Sequence, residues 1–565
     1  MTTAIIVCGE TSLDTIKETQ HVAVLSPFRR RDLLHAGIHC ISLFDIALSD
    51  SDNHSLCQKL DDNLQQEHKE NPVLKWAPLA FCNVYFRFIY YYQFKQRLTL
   101  WLASIQVKKL ILSSGEDAEL LLAARSVCEQ NAIELDILLG PLDDFSCTRS
   151  SHFYLTHDLP LSEDLDSSWF SSLIQHIWRL FALEKVLVQP YGNLPLNNLP
   201  VIPFKWIYVT GIRSILGRRW NKLKDLFFHK PMTTQISIWQ DFVYSSEKDP
   251  LLLNASIWKN FDYYDRIVIN STLSLFYKTY SIKHLDALLN RAIKFIQIAR
   301  IRKIILMHDY VPSSRFLCIA GHKAGIVVEN LPHGVIWEAC SPQTGSDFSP
   351  DIMLAWNDHS KNQFSQYGSA SISVSHPRNQ IDNQPLKRIQ KNIHEFKVLV
   401  LLGSRIIPSL AQRMDCFESD FLEIWQGLKK TGIEHITVKY HNSSSAITAR
   451  MAHSVKMLET DCRQTLVILD PAIDARTIMH DYDFVIVCAC TTGILEVMQS
   501  GIPLIIFRGY IDQCGILNSF NLPDVYTAKD LSNLLKNYPY TLYQTQFKAC
   551  RDSLQKRTPW FVRDR

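Results

Sequence analysis

Residues 483–507 constrain the fold of this chain more than any other segment. They combine an apolar run at Phe484–Cys488, a turn of small and hydroxyl residues, a helical pattern, and a second apolar run that ends at Phe507. Two short buried strands that flank a helix form a βαβ unit, whose strands are parallel neighbours in one sheet. The segment therefore predicts an α/β protein with a parallel sheet covered by helices.

The turn between the first strand and the helix predicts a phosphate-binding site. Free backbone N–H groups and the positive end of the helix dipole meet there, and Thr491 and Thr492 add hydroxyl donors beside Gly493. Glu496 follows about one turn later and is placed to reach a ribose or sugar hydroxyl. The alternative is an ordinary βαβ unit in which Thr491 or Thr492 caps the helix.

Length and composition predict a globular protein with more than one domain. The 565 residues exceed what one hydrophobic core organises, and a net charge of +3 gives no general attraction to nucleic acid. The 14 cysteines show no paired metal-ligand spacing, which favours reduced thiols in a cytoplasmic protein. We expect neither a signal sequence nor a membrane-spanning segment.

The succession of predicted strands and helices indicates two Rossmann-like lobes that face each other. The first lobe, residues 1–385, alternates strands and helices and carries a largely helical insertion at about 143–262. The alternation resumes with a strand predicted at 266–270. The second lobe, residues 386–565, opens with a strand at 396. Ligands of such sheets bind beyond the carboxyl ends of the strands.

Polar residues that follow strands of the first lobe are candidates for catalysis. Asp309 has the chemistry of a general base, with a helix N-cap as the alternative, and His333 precedes Gly334 and is otherwise a core histidine. Glu116 and Asp117 form a second candidate acid–base pair, although Asp117 also suits a helix N-cap.

Cationic residues that follow strands of the second lobe are candidates for binding a pyrophosphate. Arg405 comes after the first strand of that lobe, and Lys439 and His441 come at the end of the next one. The alternative for each is an ordinary surface residue of a turn.

Several short motifs lie between about residues 300 and 510. They are Asp309, Gly325-Ile326, His333-Gly334, Asp351 with Trp356, Cys490-Thr-Thr-Gly-Ile-Leu-Glu496 and Gly501-Ile-Pro503. These motifs resemble those of GT-B glycosyltransferases and related transferases of bacterial surface polysaccharides, a group that includes Kdo, sialic acid and capsule transferases and teichoic-acid polyol-phosphate transferases. Many members carry Lys-x-His-Pro where this chain has Lys439-Tyr-His441-Asn442.

The resemblance implies a cytoplasmic, metal-independent glycosyltransferase of the GT-B type that needs no cofactor. Its substrates would be a nucleotide-sugar donor, CMP- or UDP-linked, and a glycan or glycolipid acceptor, as in capsule or lipopolysaccharide biosynthesis. The phosphate loop, Lys439 and His441 would bind the donor, and Asp309 and His333 would act in catalysis. The alternatives are a CDP-polyol phosphotransferase, a sugar-nucleotide 2-epimerase and a non-catalytic relative that binds glycan or acts as a scaffold.

Residues 205–230 are rich in lysine and arginine with interleaved aromatic residues. Such a stretch suits a peripheral contact with the inner face of an anionic membrane. An exposed helix whose aromatic residues pack on the lobe is the alternative. Nucleic acid is not an expected partner, because no recognised DNA- or RNA-binding module surrounds the stretch.

Overall fold

The architecture comes from a computed structural model of the chain. It describes residues 2–7, 16–24, 33–34, 36–43, 46, 50–113, 118–138, 185–188, 201–203, 253–298, 300–306, 311–332, 346–356, 358–366, 370–374, 384–402, 414–440, 465–470, 473–488, 493–507 and 521–554. Within these ranges the strands form three sheets, and every strand pair is parallel. The predicted α/β class with parallel, Rossmann-like sheets is therefore confirmed.

The first sheet belongs to the beginning of the chain and has the order β3-β2-β1-β4-β5. Its strands are β1 Thr3–Val7, β2 His21–Val24, β3 Ile41–Ser42, β4 Lys109–Ser113 and β5 Glu134–Leu138. Consecutive residues of β1 such as Ile5 and Ile6 are both buried. Both faces of the sheet are therefore covered, as in doubly wound folds.

The second sheet has the order β11-β10-β9-β8-β6-β7. Its strands are β6 Lys185–Val188, β7 Val201–Pro203, β8 Ile301–Leu306, β9 Val327–Asn330, β10 Ile352–Ala355 and β11 Ser371–Ser373. Strands β6 and β7 lie inside residues 143–262, which the sequence assigns to a largely helical insertion. These two strands were not predicted, because both are too short to show a periodic pattern and are defined by their pairing, β6 with β8 and β7 with β6. Most of the predicted insertion lies outside the described residues.

The third sheet lies in the last part of the chain and has the order β14-β13-β12-β15-β16-β17. Its strands are β12 Lys397–Leu402, β13 His435–Tyr440, β14 Thr465–Leu469, β15 Phe484–Cys488, β16 Leu504–Phe507 and β17 Asp524–Val525. The sequence predicts strands at His435–Tyr440, Thr465–Leu469 and Phe484–Cys488, and β13, β14 and β15 have these bounds. β15 is a continuous apolar run, which is typical of a buried parallel strand. β13 alternates polar and apolar residues, and β14 lies at the edge of the sheet.

Helices connect the strands and cover the sheets. The described helices are α1 Asp50–Glu70, α2 Phe81–Ile105, α3 Ala118–Gln130, α4 Tyr263–Thr279, α5 Ile282–Ile298, α6 Pro312–Lys323, α7 Asp358–Gln366, α8 Met414–Thr431, α9 Ala475–Ile478, α10 Gly493–Ser500, α11 Ala528–Lys536 and α12 Tyr540–Leu554. None of the helices in the described ranges is long and apolar enough to cross a membrane.

The strand predicted at 266–270 is wrong, because these residues lie inside α4. Asp262 caps this helix: its Oδ1 accepts a hydrogen bond of 2.8 Å from the Asp265 N–H, and Asp265 Oδ2 accepts one of 3.0 Å from the Asp262 N–H. Such a reciprocal capping box stabilises the first turn and outweighs the β-branched residues that follow.

One continuous hydrophobic core includes residues of the first and the second sheet. Ile6 of β1, Phe88 of α2 and Ile304 of β8 all belong to it. A separate core contains Leu354 of β10 together with Val485 of β15. Residues 1–385, which the sequence assigns to one Rossmann-like lobe, contain two of the three sheets, and a helical layer is shared between them.

Candidate functional site

The carboxyl edge of the third sheet has the arrangement in which open α/β sheets bind ligands. Chain order runs outward from β12 to β14 on one side, and from β15 to β17 on the other. The direction therefore reverses between β12 and β15, where Leu402 pairs with Cys488. Connections leave this point on opposite faces, which opens a crevice beyond the strand ends.

The residues predicted to hold phosphate follow the two strands at this reversal. Arg405 comes soon after β12, and Thr491 and Thr492 come between β15 and α10; all three lie outside the described residues. Helix α10 begins at Gly493, directly after this turn. The predicted strand before residues 489–492 and the predicted helix after them are thus confirmed.

Lys439 and Glu496, two predicted site residues, lie close enough to interact electrostatically. Lys439 is near the end of β13, next to β12, and Glu496 is in the first turn of α10. Burial lowers the pKa of the Lys439 ammonium, and the carboxylates of Asp474, Asp470 and Glu496 oppose that shift. Ionisable groups with shifted pKa values cluster at functional sites.

The structure adds three charged residues that the sequence reasoning missed. Asp470 directly follows β14, Asp474 caps α9, and Arg476 lies in the first turn of that helix. The Asp474 carboxylate holds the guanidinium and raises the pKa of Arg476, and Glu496 adds to this effect. The available signal was a charged residue directly after a strand, Asp470, with two more charged residues within the next six positions.

The carboxyl edge of the second sheet contains a second reversal, between β6 and β8. Asp309 follows β8 in sequence and His333 follows β9. The indole Nε1 of Trp356 donates a buried hydrogen bond of 2.7 Å to the carbonyl of Pro332. The chain immediately before His333 is therefore fixed to the end of β10.

Glu116 and Asp117 follow β4, a strand of the first sheet, and not of the second. The structure therefore divides the candidate acid–base residues between two sheets. Most predicted site residues lie outside the described residues: Glu116, Asp117, Asp309, His333, Gly334, Arg405, His441, Thr491 and Thr492. The basic stretch at 205–230 lies outside them as well.

Comparison with known proteins gives matches in structure alone. No protein-family model matches the chain, and no curated protein matches it significantly in sequence. One similar structure is a putative UDP-N-acetylglucosamine 2-epimerase from Listeria monocytogenes, with 13% identity over 46% of this chain and 73% of that chain, at a TM-score of 0.32.

Two further similar structures come from Anabaena and Acinetobacter baumannii. Anabaena HepE, solved in complex with UDP-glucose, is 13% identical over 47% of this chain and 78% of that chain, at a TM-score of 0.33. MurG of Acinetobacter baumannii is 11% identical over 50% of this chain and 77% of that chain, at a TM-score of 0.29. Likeness at this level does not transfer an activity.

Proposed function

We propose that this chain is a glycosyltransferase of the GT-B type, which moves a sugar from a nucleotide-activated donor to a glycan or glycolipid acceptor. The observation that supports this most directly is the strand reversal of the third sheet. It brings the ends of β12 and β15 side by side, so that the sequence segments with phosphate-binding chemistry follow adjacent strands.

In the proposed reaction, residues at the carboxyl edge of the third sheet stabilise the charge of the leaving phosphate. When the bond between the sugar and the phosphate breaks, negative charge grows on the leaving phosphate. Backbone N–H groups at the start of α10, the hydroxyls of Thr491 and Thr492, and the Lys439 ammonium would stabilise this charge. Glu496 in the first turn of α10 would accept a hydrogen bond from a ribose or sugar hydroxyl.

Residues that follow strands of the second sheet accept the proton of the acceptor hydroxyl in the proposed reaction. Asp309 would take the proton of the acceptor hydroxyl as its oxygen forms the new bond to the anomeric carbon. The bond from that carbon to the phosphate breaks in the same reaction, and the nucleotide leaves with the electron pair. His333 would lie near the reacting groups, with its preceding residue held by Trp356.

Thermal stabilisation by CMP-, CDP-, UDP- and GDP-linked donors, followed by product analysis, tests the proposal. We expect one nucleotide class to raise the melting temperature, and nucleotide release to accelerate when an acceptor glycan is added. Isomerised donor without acceptor would indicate an epimerase, and a transferred polyol phosphate would indicate a phosphotransferase. Stabilisation without turnover on any acceptor would favour a glycan-binding relative, and no stabilisation by any donor contradicts nucleotide binding.

The proposed reaction does not depend on a divalent metal. Side chains and helix dipoles supply the positive charge in this mechanism. Turnover should therefore survive EDTA. Complete inhibition by EDTA that Mg²⁺ or Mn²⁺ reverses would contradict this part of the proposal.

A further inference from the structure

Strand β14 presents apolar side chains at the outer edge of the third sheet. It is the last strand on its side of the sheet, and within the described residues it pairs only with β13. Val467 is 44% exposed and Ile468 is 37% exposed. Successive side chains of a strand point to opposite faces, so both faces of β14 carry exposed apolar surface. An edge of this kind is a template for pairing with a further strand.

The other five edge strands of the described sheets have features that oppose such pairing. Strands β3 and β17 have two residues each, and β7 and β11 have three. Strand β5 has five residues, as β14 does, but it carries Glu134 and Asp136, both about half exposed and paired with Lys109. Short length and charge are common protections of a strand edge. β14 has five residues without charge, glycine or proline.

The sequence of β14 is complementary to a second copy of itself. A twofold axis perpendicular to the sheet at Val467 makes two such strands antiparallel, as in an isologous dimer. Val467 then lies opposite its own copy, and Leu466 lies opposite Ile468. Apolar and β-branched pairs of this kind stabilise a sheet. The same operation on β5 would place Asp136 opposite its own copy, and like charges in that position are destabilising.

We propose that two copies of this chain associate through β14, so that their third sheets join into one continuous sheet across a twofold axis. A second copy fits this edge because the strand supplies both halves of a complementary pair. The association does not depend on the nucleotide binding proposed above. Five residues span only about 17 Å, and small interfaces are weak. The dimer is therefore reversible, with a dissociation constant on the order of micromolar.

Sedimentation equilibrium of the full-length protein over a range of concentrations tests this dimer. We expect the wild type to pass from monomer to dimer as its concentration rises. Val467→Lys should weaken the association at least about tenfold, because two like charges replace an apolar pair at the twofold axis. Ile372→Lys is the matched control, since Ile372 is an exposed β-branched residue of the edge strand β11. This change should leave the association unaltered.

A pair of opposite charges distinguishes a lost contact from a lost fold. Val467→Lys and Val467→Asp should each be monomeric alone at concentrations where the wild type is dimeric. An equimolar mixture of the two should dimerise, because opposite charges then face each other across the axis. A misfolded variant would not regain association on mixing. Amide hydrogen exchange of wild-type β14 should also slow as the dimer forms, while exchange of β11 should not change.

Three results would overturn the proposal. A wild type that stays monomeric at every concentration would exclude a second copy as the partner of β14 and leave this edge to a strand of a different protein. A dimer that Val467→Lys does not weaken would place the interface elsewhere. Equal weakening by Val467→Lys and Ile372→Lys, or no recovery in the mixture, would exclude direct pairing of β14 with its own copy.

Discussion

Trp356 and Pro332 are joined by a buried hydrogen bond of 2.7 Å from the indole Nε1 to the carbonyl oxygen. At the other end of the same segment, Asp351 Oδ2 accepts a hydrogen bond of 2.8 Å from the Val328 N–H. Asp351 and Trp356 therefore hold β9 by hydrogen bonds, one near the beginning of the strand and one just beyond its end. This gives a physical reason for the aspartate and tryptophan that flank β10.

Trp356→Phe should lower both stability and turnover. The change keeps an aromatic ring but leaves the buried Pro332 carbonyl without its donor, which costs about 1–3 kcal/mol of unfolding free energy. If His333 takes part in catalysis, turnover should fall by roughly 10- to 100-fold, because misplaced catalytic groups lose efficiency. Trp101→Phe, which also shrinks a buried indole, is the control for stability and turnover measurements.

Asp61→Ala should destabilise the protein strongly. Arg315 Nη1 donates to Asp61 Oδ1 at 2.5 Å, and the two side chains are 0% and 6% exposed. Removing the carboxylate leaves a buried guanidinium without its counter-charge, at a loss of about 3–5 kcal/mol. Denaturant unfolding measures the change.

Lys75→Ala is the matched control for this prediction, because the ion pair of Lys75 with Asp286 is exposed by 44% and 38%. Lys75→Ala should lower the unfolding free energy by less than about 1 kcal/mol. Equal losses of unfolding free energy in Asp61→Ala and Lys75→Ala would show that burial does not determine how strongly these two ion pairs stabilise the protein.

Gly501→Ala should destabilise the contact between the third sheet and the segment that precedes β12. Gly501 has a φ of +71°, its carbonyl accepts a hydrogen bond of 2.7 Å from the Lys387 N–H, and a Cβ at this position would overlap the Pro385 carbonyl. Gly325→Ala provides the comparison, since its φ is +72° and no atom lies within 4 Å of the added Cβ.

The Gly325 variant should lose about 1–2 kcal/mol from backbone strain alone. Gly501→Ala should lose clearly more, because steric overlap adds to the same strain. Thermal unfolding of both variants measures the difference in stability. A similar loss of unfolding free energy in both would mean that residues 384–387 move away from the added Cβ without destabilising the protein.

Thr491→Ala combined with Thr492→Ala should weaken nucleotide binding by roughly 1–3 kcal/mol, the size of lost hydrogen bonds to a charged group. Calorimetry on the folded double variant measures the affinity. Unchanged affinity would remove these threonines from the phosphate site and favour their role as helix caps.

Asp309→Asn should reduce turnover by about 100- to 10,000-fold while the fold is retained, because the amide keeps the shape and loses the base. Donor affinity, measured separately, should change little. Near-normal turnover would exclude Asp309 as the base and direct the search to Glu116 and Asp117, which follow a strand of the first sheet.

The sequence predicted the third sheet best, because β15 is a continuous apolar run and β13 alternates polar and apolar residues. Strands β13, β14 and β15 need no information from distant residues to be recognised. The strand predicted at 266–270 was wrong because local composition misleads there. The β-branched residues favour a strand, but the capping box formed by Asp262 and Asp265 stabilises a helix. Strands β6 and β7 were missed because they are short and are defined by pairing, β6 with β8 and β7 with β6.

The sequence by itself determined the α/β class, the strand and the helix on either side of residues 489–492, and the choice of Lys439 and Glu496 as candidate site residues. These depend on local composition and on periodicity, which a chain carries in its own order of residues. The tertiary structure alone decided that three sheets form, that the third sheet reverses between β12 and β15, and that Arg476 and Asp474 join Lys439 and Glu496. Strand order depends on which apolar faces pack together over long distances in the chain, and no local pattern encodes that choice.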